Sequence, residues 1–241
     1  TPTLAGMKVR YTPTAEGAEE VTLAIPEAFE FRHFDDFGPI RLIERIPELG
    51  NLYDQRRRLT DLHTKLDGND ILDEYLRRIS VDDTEKSALA AEIGDIVAAY
   101  YDSIEAGEIK RDEAHVPAAI AENSELLPRY ASLGLARQDA QIIYAMQMLQ
   151  EFLNGIEDGG VLSLPDMMDP VEGEAPTRQW ADRSLGHVLA EAIAQLDGDV
   201  EVRLQGVLHN KDFQSLESTW RSLHRLVMGT ETGTWLKLRV L

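Results

Sequence analysis

The side chains best spaced for chemistry are a histidine and a glutamate one helical turn apart, His187 and Glu191. Groups at i and i+4 share a helix face, where such a pair could trade a proton or hold part of a metal shell. A metal needs further ligands, and no H-E-x-x-H pattern supplies them, so the pair reads as a histidine with a neighbouring acid. Asp197-Gly198-Asp199-Val200-Glu201 has the alternating carboxylates that open a calcium loop. That loop also needs Gly at its sixth position and Glu at its twelfth, where Val202 and Leu208 stand. Asp82-Asp83 and the six acids between 157 and 174 read as solvated charge. Cysteine is absent, which removes thiolate nucleophiles, disulfides and Cys-bound zinc. Neither a phosphate-cradling glycine loop nor a G-x-S-x-G elbow occurs, and no pattern selects a catalytic pair among 43 acids. Arg56-Arg57-Arg58 is the one basic cluster of note. Three adjacent helical residues point three ways, so it reads as pairing with acids such as Asp54 and Asp61 rather than as a docking patch. No cofactor and no metal site are expected.

The elements that would position these groups are mostly helical. The chain has 241 residues, a hydrophobic fraction of 43% and a net charge of −19, enough apolar content for a sizeable core. The charge is −4 over residues 1–78, −14 over 79–178 and −1 over 179–241, so the acidity belongs to the middle. It disfavours nucleic acid and anionic membrane surfaces as partners, since both attract clustered Lys and Arg. No apolar run approaches the roughly 20 residues of a membrane span. Thr1-Pro2-Thr3-Leu4 does not open a signal peptide, and both ends read as cut from something longer.

Met7–Tyr11, Val21–Ile25 and Ala28–His33 read as short strands. Asp36 is a plausible N-cap ahead of Pro39, and Pro47 divides the helix that follows. Leu49, Leu52, Leu59, Leu62 and Leu66 then form one stripe, closed by Asp67-Gly68-Asn69. A short helix covers Ile71–Ile79, and Leu89 to Ile104 forms a broad amphipathic face ended by Gly107. Helical pieces follow near Glu113–Ala121, Glu125–Leu133 and Arg137–Ile156. Glu157–Thr177, with three Gly, three Pro and six acids, has loop composition. Trp180–Leu208 and Asp212–Met228 are helical, and a turn leads into a final strand near 234–241. In the last helix Phe213, Leu216, Trp220, Leu223 and Val227 recur at three and four, which marks Phe213 and Trp220 as expected core anchors. The expected class is mainly α with a small β portion: amphipathic helices, short N-terminal strands and one C-terminal strand.

Two ordered sets of residues carry a family resemblance. Phe34-Asp35-Asp36-Phe37-Gly38-Pro39, Ile46-Pro47-Glu48-Leu49, Arg56 with Leu59 and Leu62, and Lys65-Leu66-Asp67-Gly68-Asn69 resemble the C-terminal half of the small sheath subunit of type VI secretion systems, the TssB or VipA type. Its D-D-F-x-P, V-P-x-L, R-x-x-L-x-x-L and L-D-G-N pattern covers residues 28–79 here. The stretch from His209 through Phe213-Gln214-Ser215-Leu216-Glu217 and Trp220-Arg221 to Val227 resembles the large sheath subunit, the TssC or VipB type. Thr230-Glu231-Thr232-Gly233 and Leu236–Leu241 follow in the family's order, with Ser222 standing where Gly is usual and Arg203 where Gln is usual. Leu135-Ala136-Arg137-Gln138-Asp139 and the helix through Gly155 resemble the large subunit's N-terminal region.

The resemblance implies a fusion or excerpt with three parts. Residues 1–79 form a small-subunit-like module, 80–124 an acidic helical connector, and 125–241 a large-subunit-like helical module ending in a strand. It implies packing or interface roles for Asp36, Phe37, Leu49, Arg56, Leu59, Leu62 and Leu66, and for Phe213, Gln214, Leu216, Glu217, Trp220 and Arg221. Leu126, Leu127 and Leu133 fall where that family docks a hexameric AAA+ recycling unfoldase. The implied function is a non-enzymatic building block of a contractile sheath, assembled helically around an inner tube in the bacterial cytoplasm as part of a membrane-anchored apparatus. Implied partners are other sheath protomers, the tube protein, the baseplate and the unfoldase, with no nucleic acid and no membrane insertion. The alternatives are a non-polymerising adaptor or cap, and a metal-dependent hydrolase using the acidic middle.

Overall fold

The computed structural model describes residues 3, 7–13, 20–26, 29–107, 118–157, 161–162 and 184–230. Strands β1 (Val9–Tyr11) and β2 (Val21–Leu23) pair antiparallel with Val9 opposite Leu23 and Tyr11 opposite Val21. Period two turns Val9 and Tyr11 inward and leaves Arg10 outside, the pattern of a strand with one face on a core. In the expected third strand, Glu30 alone among the described residues bridges, to Thr3, and a 3-10 turn at Phe34–Phe37 follows. The alternating aromatics there are satisfied by side-chain packing instead of a ladder.

The helices are α1 (Pro39–Arg45), α2 (Pro47–Leu66), α3 (Asp70–Val81), α4 (Asp83–Glu105), α5 (Ala118–Ala121), α6 (Leu126–Ser132), α7 (Ile142–Gly155), α8 (Leu185–Leu208) and α9 (Lys211–Gly229). Pro47 separates α1 from α2: Ile46 is extended, as a residue preceding proline tends to be, and Pro47 opens the new helix. Asp36 is not the N-cap of α1, which is Gly38; its carboxylate accepts the N–H groups of Arg32 and His33 at 2.7 and 2.9 Å. Gly68, with φ of +69°, ends α2. Asn69 then caps α3 by accepting the Leu72 N–H, and Asp82 caps α4 by accepting the N–H groups of Thr84 and Glu85. One of the two acids read as solvated charge thus has a structural task. Asp197 and Asp199 lie inside α8, so the calcium-loop spacing belongs to a helix. The expected C-terminal strand, most of the 157–177 loop and residues 113–117 and 180–183 lie outside the described residues.

Two compact units divide the chain, one formed by residues 1–54 with 197–241, the other by 55–196. Among its described residues, all regular secondary structure of the second is helical. There α4 packs on α7 and α3, and α6 packs on α7. Helix α7 buries Ile143, Met146, Leu149, Phe152 and Leu153 along with Ala145 and Met148, so it is covered almost all round. The first unit holds the strands, α1, the start of α2, the end of α8, and α9.

A candidate assembly interface

The first unit is a joint between the two ends of the chain. Its core gathers Val9, Tyr11, Leu23, Phe29, Phe31, Phe37, Leu42, Ile46 and Leu49 from the N-terminal side with Val207 and Phe213 from the C-terminal side. Phe31 stacks on Phe37 with ring centroids 4.1 Å apart, and Phe29 meets Phe31 edge-on at 5.3 Å. Phe213, fully buried, tilts against both Phe37 at 6.0 Å and Phe31 at 6.2 Å. Such offset and edge contacts stabilise beyond the area they bury. The Arg45 guanidinium covers the outer aromatic, 4.3 Å from the Phe29 centroid.

Three features set how α8 and α9 meet this layer. Gly206 lets α8 approach β1 closely: a Cβ there would lie 2.9 Å from the Arg10 carbonyl oxygen. Asn210 Oδ1 accepts the N–H groups of Asp212 and Phe213 and so caps α9, while its Nδ2 donates to the Lys8 carbonyl at 3.1 Å. A polar cluster fills the third place. Glu48 Oε1 accepts from the Tyr11 hydroxyl at 2.9 Å and from Arg203 Nε at 2.8 Å. Arg203 Nη1 also donates to the Asp199 carbonyl at 2.9 Å, and the guanidinium lies 4.8 Å from the Tyr11 ring centroid. Burial and Glu48 push the Tyr11 phenol up, with Arg203 opposing; burial works against the Arg203 charge, yet Glu48 leaves its affinity for the proton raised.

Beyond Phe213 the cover on α9 thins. A groove of about 240 Å³ runs between α9 and the 31–37 segment, walled by Phe31, Phe34, Phe37, Trp220, Leu223 and Val227. His224 stacks on Phe34 at 5.0 Å and Arg221 lies over the same ring at 5.1 Å. Trp220, an expected core anchor, is 37% exposed. It lies on nearly the same helix face as Phe213, but seven residues carry it about 10 Å further along the axis, past the end of the core. Periodicity sets a face and not the length over which that face is covered.

The anticipated residues separate between the two units. Asp36, Phe37, Leu49, Phe213, Gln214, Leu216, Glu217, Trp220 and Arg221 lie in the first. Leu216 is half-buried, Gln214 Nε2 donates to the Leu208 carbonyl, and Glu217 pairs with Arg221 one turn on, at 2.7 Å. Backbone donation from His33 and then Arg32, with Arg45 adding, holds the Asp36 carboxyl below the usual range despite partial burial. Arg56, Leu59, Leu62, Leu66, Leu126, Leu127 and Leu133 lie in the second. Leu59, Leu62 and Leu66 form its buried stripe, and Leu126 and Leu133 are buried too. The arginine cluster finds partners inside that unit: Arg58 meets Glu151 at 2.6 Å and Arg57 lies 6.0 Å from the Tyr144 centroid. The Tyr144 hydroxyl donates to Asp61. His187 and Glu191 make an exposed pair at 3.2 Å. Among the described residues no group of three or more His, Asp or Glu is placed to hold a metal, and no helix is long and apolar enough to cross a membrane.

Tyr11, Glu48, Arg203, Gly206 and Asn210 are the joint residues whose roles spacing did not reveal. Asn-x-Asp-Phe ahead of an amphipathic run is an N-cap signature that could have found Asn210. For Glu48 and Arg203, 155 positions apart, no local signal exists.

Both sides of the joint fall within stretches that match known families. Residues 7–94 match the family described as "Type VI secretion system, VipA, VC_A0107 or Hcp2", and residues 190–241 match "EvpB/VC_A0108, tail sheath N-terminal domain". The type VI secretion system sheath protein TssC1 of Pseudomonas aeruginosa is 51% identical over 49 residues, 20% of this chain. That match spans only 10% of the relative's own length. No solved structure matches the chain. The chain is thus similar to the VipA family over residues 7–94 and to the VipB sheath N-terminal domain over 190–241, and its fold is mainly helical with a small antiparallel sheet.

Proposed function

We propose that this chain is a non-enzymatic structural component of a type VI secretion sheath, in which fused small-type and large-type segments pair with each other and polymerise with further protomers. One observation carries the reading. The VipA-type strands and helices and the VipB-type helices contribute to the same core, with Phe213 of the latter lodged against Phe31 and Phe37 of the former. A shared apolar core is the anatomy of an obligate subunit interface, here within one chain. The acidic stretch that follows residue 94 would connect the two subunit types, and contraction would be a switch between two packings of such protomers around an inner tube, in the cytoplasm of the cell.

Negative-stain imaging and sedimentation of the full chain, alone and with P. aeruginosa TssC1, test the reading. Tubular or helical assemblies are the expected result; a strictly monomeric chain that also fails to enter TssC1 assemblies would refute it. A second reading, a non-polymerising adaptor or cap, draws on the same joint. A small-type layer already occupied by its own large-type helix would bind a sheath end without offering that layer to another copy. Association with preformed sheaths at their ends, without self-assembly, is the result that would select it.

A further inference from the structure

The joint between the chain ends is largely apolar, but at one place Tyr11 and Glu48 meet Arg203 and Asp199. The Arg203 side chain is 15% exposed and its guanidinium is held from three sides: by the Glu48 carboxylate, by the Asp199 carbonyl with its carboxylate at 3.5 Å, and by the face of the Tyr11 ring. Tyr11 and Glu48 fall within the VipA-type segment, Asp199 and Arg203 within the VipB-type segment. An ion pair with Arg203 15% and Glu48 34% exposed adds little net stability, because desolvation and screening offset the attraction. Its effect is on mismatch: a partner helix that lacks the cation leaves the partly buried Glu48 carboxylate, the Tyr11 hydroxyl and the Tyr11 ring face without the guanidinium that joins them. The surrounding contacts sharpen this. The close approach at Gly206 and the Asn210 bond to the Lys8 carbonyl hold α8 and α9 in a single register on β1, so a mispaired helix has no room to shift and relieve the mismatch.

We infer that the Tyr11–Glu48–Arg203–Asp199 cluster is the pairing determinant of the joint, through which this small-type layer selects a large-type sheath helix carrying a cation at the position of Arg203. The inference rests on the reading of the first unit as a small-type to large-type joint. Selection of this kind suits a cell holding more than one sheath-type partner, since apolar cores of similar volume substitute for one another readily.

The test uses the full chain with a protease site introduced within residues 163–177, folded and then cut, so that pairing becomes an exchange between two pieces. Loss of the labelled C-terminal piece to an excess of unlabelled piece is measured for wild type, Glu48→Gln, Arg203→Gln and the double variant. Helix contacts upstream of residue 197 are common to all four and cancel in the ratios. The expected result is a loss about 10-fold or more faster for Arg203→Gln, falling to about 3-fold or less when Glu48 is already Gln. The charge-exchanged pair Glu48→Arg with Arg203→Glu should hold better than either single exchange. If the single effects multiply independently, the cluster does not select and the inference is overturned. If the wild-type pieces separate at once on cutting, the joint reading itself fails, and the inference with it. The uncut variants, checked for native helix content, guard against a folding defect passing as a pairing defect.

Discussion

Truncating Phe213 to Ala is the sharpest perturbation of the joint, because the ring is fully buried and touches aromatic residues that arrive from the other end of the chain. A buried Phe→Ala change costs about 3–5 kcal/mol from lost transfer energy and the cavity left behind. Two tilted aromatic contacts, at 6.0 and 6.2 Å, add part of the roughly 0.5–1.5 kcal/mol each can carry, placing Phe213→Ala in the upper half of that range. Trp220→Ala is the control. The indole is already 37% exposed and borders an open groove, so its removal leaves no closed cavity and should cost about 1–2 kcal/mol. Urea unfolding followed by far-UV circular dichroism gives the totals. Two compact units argue against a two-state fit, so hydrogen exchange at the α9 amides should be read alongside to localise the loss. The reasoning is refuted if Phe213→Ala costs under about 1.5 kcal/mol, or if Trp220→Ala costs as much.

Gly206→Ala should destabilise the first unit by a net of about 1–2 kcal/mol, because crowding against the Arg10 carbonyl outweighs the helix-propensity gain of roughly 1 kcal/mol; a rise in urea midpoint would contradict the close approach. The Asp36 carboxyl titrates below its ordinary range when folded, so its contribution is present above about pH 4 and is lost as pH falls through the folded value. Asp36→Asn should therefore flatten the acid limb of a stability–pH curve; an unchanged limb would exclude Asp36 as its source. Burial, with Asp61 adding, pushes the Tyr144 phenol up to about 12 from 10.0. The neutral phenol is the favoured form, so its contribution is whole below pH 10 and declines between pH 10 and 12. Tyr144→Phe should weaken that alkaline decline, read by hydrogen exchange in α7; retention of the full decline would assign it elsewhere.

Helix boundaries were the most legible part of the fold. Proline at 47, glycine at 68 and 107 and the apolar stripes act over a few residues, so one stretch of sequence contains both cause and effect. Asp36 shows the limit of that legibility. The residue type was suited to capping, yet the segment folds into a 3-10 turn that directs the carboxylate back to Arg32 and His33. The arginine cluster was legible as intramolecular, but the partner of Arg58 was not: Glu151 lies 93 positions away and reaches it through the packing of the second unit. Within the joint, Phe37 and Phe213 were each recognisable, whereas Tyr11, Glu48 and Arg203 acquire their roles only together.

By itself the sequence determined a mainly helical, acidic chain whose two ends carry the marks of two sheath subunit types, because composition, caps, periodicity and motif order are properties of neighbouring residues. The tertiary structure alone decided that those ends share one core, that Glu48 and Arg203 meet inside it, and that Trp220 lies beyond its edge. These outcomes depend on which surfaces exclude water together, and residues 155 positions apart have no local chemistry that announces they will do so.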